Sequence, residues 1–243
     1  LEDHEGLIWA STSGGVNIVD REKNKIMTLD SEHGLDSDVV SNIFQDDQNR
    51  MWISTNTGLN IISADKKSIQ SIGSNEGLSG INEAWGVYKS KSDKYWIGTR
   101  NGLMFSYDEK KNIFEKYDTS DSSALIWDIF EDFQNQIWGV NAFGGAYVID
   151  QKSGQPANID GSDGLDFNKV WTTLVDEKGR IWLGTEDGLA VYDRTTKIVK
   201  FITENEGLIS NYIYNLMLDS KGRIWVLGSG RGLSVVDPEK GEI

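Results

Sequence analysis

Seven side chains stand out as able to contact a small polar ligand: Arg100, Asn101, Trp127, Asn141, Phe143, Trp171 and Arg231. Arginine and asparagine form directional hydrogen bonds, and indole and phenyl rings offer flat apolar faces. That combination suits an oligosaccharide, whose hydroxyls need polar partners and whose ring faces stack on aromatic ones. Other chemistry is poorly supplied. His4 and His33 are the only histidines, so a multi-histidine metal site is impossible and a histidine base has two candidates. Neither a Gly-x-Ser-x-Gly elbow nor a phosphate-cradling Gly-Lys-Ser/Thr occurs. Carboxylates are too numerous for spacing to single out a glycosidase pair. No catalytic residue, metal or cofactor is expected.

These residues belong to three sets. One occupies short turns: Asn56, Thr57, Arg100, Asn101, Asn141, Phe143, Glu186, Asp187, Ser229 and Arg231. A second lies in longer loops: His33, Asp36, Asp38, Asn82, Glu83, Asn168, Lys169, Asn211 and Tyr212. Most of both sets are expected to be solvated turn residues, with Asp38, Asn82, Asn168 and Asn211 capping their loops. The third is a column at constant spacing, Ser41, Trp85, Trp127, Trp171 and Tyr214, for which packing competes with ligand stacking.

The elements that must position them repeat. Trp9, Trp52, Trp96, Trp138, Trp182 and Trp225 stand 42 to 44 residues apart, a period that suits a propeller blade. In the reference unit Val170–Val175, Ile181–Thr185, Leu189–Asp193 and Lys197–Phe201 read as strands. Asp176-Glu177-Lys178-Gly179-Arg180 forms the first turn, with the glycine placed for positive φ. Four antiparallel strands per period predict an all-β β-propeller with six blades present, as part of a seven-bladed one. The expected divisions are a partial blade 1–30, blades 31–73, 74–117, 118–160 and 161–203, and an incomplete blade 204–243. Leu1-Glu2-Asp3 aligns with Leu218-Asp219-Ser220, so the sequence is expected to begin at the end of a first strand and to be a piece of a longer chain. The repeated tryptophans are assigned to packing.

Composition narrows the partners. Asp and Glu total 38 against 24 Lys and Arg, a formal net charge of −14, which opposes nucleic acid and anionic membrane surfaces. Cysteine is absent, so no disulfide framework forms. No apolar run is long enough to span a bilayer, and the first residues lack signal-peptide character.

The phrase Asp176-Glu177-Lys178-Gly179-Arg180-Ile181-Trp182-Leu183-Gly184-Thr185-Glu186-Asp187-Gly188-Leu189 resembles the two-component regulator propeller repeat. Asp219 to Trp225 and Trp96 to Leu103 match it in part. The resemblance implies the periplasmic sensor region of a hybrid two-component histidine kinase of the kind frequent in Bacteroidetes, sensing oligosaccharides and feeding a phosphorelay. It implies further propeller and immunoglobulin-like modules of the parent chain as partners, and a homodimer formed through that parent. The six units depart from the family's seven. The same repeat occurs in exported proteins of type IX secretion, so an interaction scaffold is the alternative. A lyase or hydrolase ranks third.

Overall fold

A computed structural model describes residues 1–73, 78, 83–143, 145–150, 154–159, 169–193, 196, 198–230 and 232–243. The chain divides into two compact units, Leu1–Ile129 and Phe130–Ile243. The first holds a three-stranded sheet of β1 (Ile8–Thr12), β2 (Gly15–Asp20) and β3 (Lys25–Leu29). It also holds two four-stranded sheets: β4 (Val40–Gln45), β5 (Met51–Thr55), β6 (Leu59–Ile62) and β7 (Ile69–Ile72), then β8 (Ala84–Lys89), β9 (Tyr95–Thr99), β10 (Leu103–Asp108) and β11 (Ile113–Asp118).

The boundary between the units falls inside β12 (Ile126–Glu131), which forms a sheet with β13 (Ile137–Asn141), β14 (Ala146–Asp150) and β15 (Gln155–Ile159). The second unit continues with β16 (Val170–Val175), β17 (Ile181–Thr185), β18 (Leu189–Asp193) and β19 (Ile198–Ile202). Its last sheet is β20 (Ile213–Leu218), β21 (Ile224–Gly228) and β22 (Gly232–Val236). Every sheet is a meander in which consecutive strands pair antiparallel, the pattern of a propeller blade. The chain is all-β with six such blades. Three strands of the reference unit coincide with the bounds read from sequence, and the fourth begins one residue later.

One brace recurs through the blades. Trp9, Trp52, Trp138, Trp182 and Trp225 donate their indole N–H to Asp3, Asp46, Asp132, Asp176 and Asp219, at 2.8–3.1 Å. The other carboxylate oxygen accepts two backbone N–H groups of the turn, as in Asp46 with Gln48 at 3.0 Å and Arg50 at 2.9 Å. A single side chain therefore satisfies the turn and anchors the ring of the following strand. The turn bends tightly because its fourth residue is left-handed: Gly6, Asn49, Asp93, Asn135, Gly179 and Gly222 all have positive φ. The third blade departs from the plan. Ser90 replaces the aspartate, and the buried Nε1 of Trp96 has no hydrogen-bond partner among the described residues.

Within each unit the blades pack through these rings. Trp52 joins Leu59, Ile72, Tyr95, Ile97 and Phe105 in one core, and its ring stacks on Tyr95 at 4.0 Å. Burying an aromatic side chain of this kind contributes roughly 4–6 kcal/mol before entropic costs. Arg50 then ties two blades of the first unit together: it pairs with Asp46 at 2.8 Å and with Glu109, and donates to the Tyr95 hydroxyl at 2.8 Å. Arg180 does the same in the second unit, pairing with Asp176 at 2.5 Å and Glu239 at 3.1 Å. The first blade has Leu7 where those arginines stand, and Lys66 of the next blade supplies the cation instead, 3.2 Å from Asp3. Gly98 and Gly184 permit this close approach, since a Cβ would meet Ile126 Cγ2 and Ile213 Cγ2 at 2.7 Å.

Asp3, Asp46, Asp176 and Asp219 titrate below the ordinary carboxylate value. Burial alone raises the Asp46 and Asp176 carboxyls, but the indole, the turn amides and the neighbouring arginine outweigh it. At Asp219 the Trp225 indole is the largest influence and also lowers the pKa. A depressed folded pKa adds stability that is complete above the unfolded value and is lost as pH falls through the folded one. The urea midpoint should therefore be flat from about pH 7 to 5 and drop steeply below about pH 4; a midpoint still unchanged at about pH 3 would contradict the brace. The same measurement at neutral pH tests the missing partner. Ser90→Asp should stabilise the protein by about 1 kcal/mol, whereas Asp46→Ala should cost about 3 kcal/mol by stranding an indole, two amides and a guanidinium.

Candidate functional site

The first strand of four blades carries a β-bulge. Register shifts fall between Val40 and Asn42, Ala84 and Val87, Val170 and Thr172, and Ile213 and Asn215. The residues left out of the ladder are Ser41, Trp85 with Gly86, Trp171 and Tyr214, which are members of the repeated column. A bulge kinks the strand and re-aims its side chain. The rings at these positions are accordingly half-buried or exposed, while the brace tryptophans Trp9, Trp52, Trp138 and Trp182 are buried in the cores and Trp225 is partly buried.

In the first unit Trp85 and Trp127 stack face to face, with centroids 4.6 Å apart and planes 25° from parallel. The Trp85 indole donates to Glu83 at 3.3 Å, and Glu83 accepts both Arg100 contacts at 3.0 and 3.1 Å. The Arg100 backbone N–H also donates to the Glu83 carbonyl at 3.2 Å, so the turn after β9 is tied to the residue before β8. At the equivalent place in the second unit, Lys169 donates to Glu186 at 3.0 Å. The polarity is reversed: the acid precedes the inner strand in one unit and follows the second strand in the other. Glu186 also accepts from the Tyr212 hydroxyl at 2.8 Å. Around it Trp171, Tyr212 and Tyr214 form a splayed trio with centroids 4.9–6.3 Å apart. The Lys169 and Tyr212 hydrogen bonds hold the Glu186 carboxyl below its ordinary value, and the bond to Glu186 pushes the Tyr212 phenol up to about 12.

The seven residues singled out from sequence separate in the structure. Arg100 is exposed and paired with Glu83, and Phe143 is 62% exposed at a turn tip. Trp127 and Trp171 are half-buried members of the two ring clusters. Asn101 is part of its own turn, accepting from Thr99 Oγ1 at 2.7 Å. Asn141 is not an exposed loop residue: it is 5% exposed and accepts the Phe143 N–H at 3.0 Å. It occupies the position of Thr55 and Thr185, whose hydroxyls cap the same turn in other blades. Its side chain is consumed by the fold. Arg231 lies outside the described residues, as do Asn82 and Asn168. Asp38 and Asn211 cap their loops as expected, each accepting a backbone N–H at 2.7 Å.

Glu83, Trp85, Lys169, Glu186, Tyr212 and Tyr214 were each legible as loop or column residues, but not as two clusters. The overlooked signal is a pair of opposite charges, one residue 13 before the blade tryptophan and the other 4 after it: Glu83 with Arg100 and Lys169 with Glu186.

Bulged inner strands, capped turns and variable loops on a constant brace define the class, a β-propeller whose polar groups gather where its blades differ. The sequence model of the two-component regulator propeller matches residues 34–57, 164–187 and 207–230, and the chain carries that family's repeats. A curated relative, histidine kinase P4 of Formosa agariphila, is 31% identical over 120 residues, covering 42% of this chain and 8% of the relative. Among solved structures, the extracellular domain of a putative hybrid two-component system from B. thetaiotaomicron superposes with a TM-score of 0.80 at 20% identity, covering 99% of this chain and 33% of that one. Virginiamycin B lyase from Staphylococcus aureus superposes at 0.73 with 10% identity, over 97% of this chain and 82% of the lyase. At such identities the structural likeness is one of fold. The chain spans about a third of the sensor domain and less than a tenth of the kinase.

Truncation should separate scaffold from site. Arg100→Ala, which removes an exposed ion pair, should change unfolding free energy by less than about 1 kcal/mol. Asn141→Ala strands a buried amide N–H and should cost about 1–3 kcal/mol in the same urea titration. Equal costs would show that the two residues are misassigned.

Proposed function

We propose that this chain is a non-catalytic segment of the periplasmic sensor region of a hybrid two-component system, binding an oligosaccharide and passing its presence to adjoining modules of a parent chain. The observation that carries the reading is the bulged column. Aromatic side chains at Trp85, Trp171 and Tyr214 are turned out of the ladder beside charged side chains, on blades that are otherwise braced alike. Rings beside a fixed polar group are what a sugar ring and its hydroxyls require. The likeness to a histidine kinase and to an extracellular two-component domain supports placing that recognition upstream of a phosphorelay.

The lowered pKa of Glu186 keeps it an ionised acceptor and disfavours a general-acid role for it at neutral pH. One feature favours the alternative of a protein-interaction scaffold. Met217, Leu227 and Leu233 share one face of the last sheet and are 58%, 42% and 53% exposed. Contiguous apolar surface of that kind marks a place where another protein surface packs.

Isothermal calorimetry of the parent sensor region against a panel of plant, algal and host oligosaccharides tests the reading. Saturable binding of at least one class without product formation is expected. Silence across the panel, or turnover abolished by removing one carboxylate, would overturn it.

A further inference from the structure

Two ring clusters offer themselves to a ligand, and they are not equivalent. Trp85 and Trp127 lie nearly parallel at 4.6 Å, so each indole covers one face of the other. In the second unit Trp171 and Tyr212 stack at 5.9 Å and 30°, whereas Tyr214 is inclined to both, 6.3 Å from Trp171 at 55° and 4.9 Å from Tyr212 at 52°. A ring inclined in this way leaves a face open, and Tyr214 is 48% exposed. The adjacent carboxylate is also better placed. Glu186 is fixed from two sides, by Lys169 at 3.0 Å and by the Tyr212 hydroxyl at 2.8 Å. A carboxylate has about four acceptor sites, so roughly two stay available to hydroxyl donors after these bonds. The cation of the cluster, Lys169, is already committed to Glu186.

We propose that Trp171, Tyr212 and Tyr214, with Glu186 held by Lys169, form a subsite for a neutral pyranose: the sugar face rests on the Tyr214 ring, the stacked Trp171 and Tyr212 wall its side, and two of its hydroxyls donate to Glu186. This rests on the oligosaccharide reading above and narrows it. A uronate or sulfated sugar would bring a second anion against Glu186, with the local cation already neutralised, on a chain of net charge −14.

The test uses the intact parent sensor region and five probes: cellotetraose, xylotetraose, mannotetraose, maltotetraose and tetragalacturonate. Calorimetry should show binding of at least one neutral tetrasaccharide and none of tetragalacturonate. Tyr214→Ala and Glu186→Gln should each weaken that binding by at least about tenfold, roughly the worth of one stacked ring or one charge-assisted hydrogen bond. Ile113→Ala, at an exposed position of β11 away from both ring clusters, should leave it within about twofold, a change too small for a lost contact. Tyr214 is exposed and Glu186→Gln is isosteric, so unchanged urea midpoints will certify that both variants fold. Binding lost in Trp85→Ala and retained in Tyr214→Ala would overturn the subsite while leaving oligosaccharide sensing intact. Preferential binding of tetragalacturonate would do the same. Failure of all five probes overturns the neutral-pyranose subsite, whereas the sensing reading falls only if the wider panel is silent too.

Discussion

The hydrogen bond from a buried indole to an aspartate that also caps a turn is the contact on which the rest of this molecule depends. Each aspartate accepts from two backbone amides and one ring, so losing it would orphan three donors at once. The bond joins a local requirement, closing a tight turn, to a long-range one, holding a large ring where the neighbouring blade can pack on it. In three blades the arginine two residues before the tryptophan pairs with the carboxylate, as Arg50, Arg180 and Arg223 do with Asp46, Asp176 and Asp219. That arginine then reaches the following blade, as Arg50 reaches Glu109 and Arg180 reaches Glu239. Turn, core and blade-to-blade joint are thus one connected set of charges and rings. Where the first blade has leucine in place of the arginine, Lys66 from the second blade meets the same aspartate, and the fourth blade carries Gln136 at that position.

Against that constancy, the places where the blades differ gain meaning. The bulged residue of the inner strand is hydroxyl in one blade, indole in two and phenol in another. Ser41 spends its hydroxyl on the Ala84 carbonyl at 2.6 Å, sealing a joint that a ring would occupy elsewhere. The blades therefore differ in what they present. Under the proposed sensing role, the contributing blades are those whose bulge carries a ring and whose flanking loops carry opposite charges.

Much of this was legible from residue order alone. Strand bounds, the left-handed turn residue and the packing role of the tryptophans all follow from a period and from short-range chemistry. What escaped depends on counting across strands. A bulge is invisible until two strands are paired, so the column could not be divided between packing and presentation. Asn141 illustrates the same limit: its amide suggests a ligand contact, yet it stands three residues after its tryptophan, where other blades place a capping threonine. The charged pairs were present in the sequence but spanned 17 residues, beyond any local pattern.

The reversed polarity of those pairs bears on how such chains diversify. Glu83 with Arg100 and Lys169 with Glu186 occupy one geometric slot in opposite order, and neither arrangement touches the aspartate brace. Exchanging both members leaves the brace in place, although side chains at this slot reach the next blade, as Trp85 reaches Trp127 and Glu186 reaches Tyr212. Two blades thus hold one slot of opposite charges that can change sign while the aspartate brace beneath it stays the same.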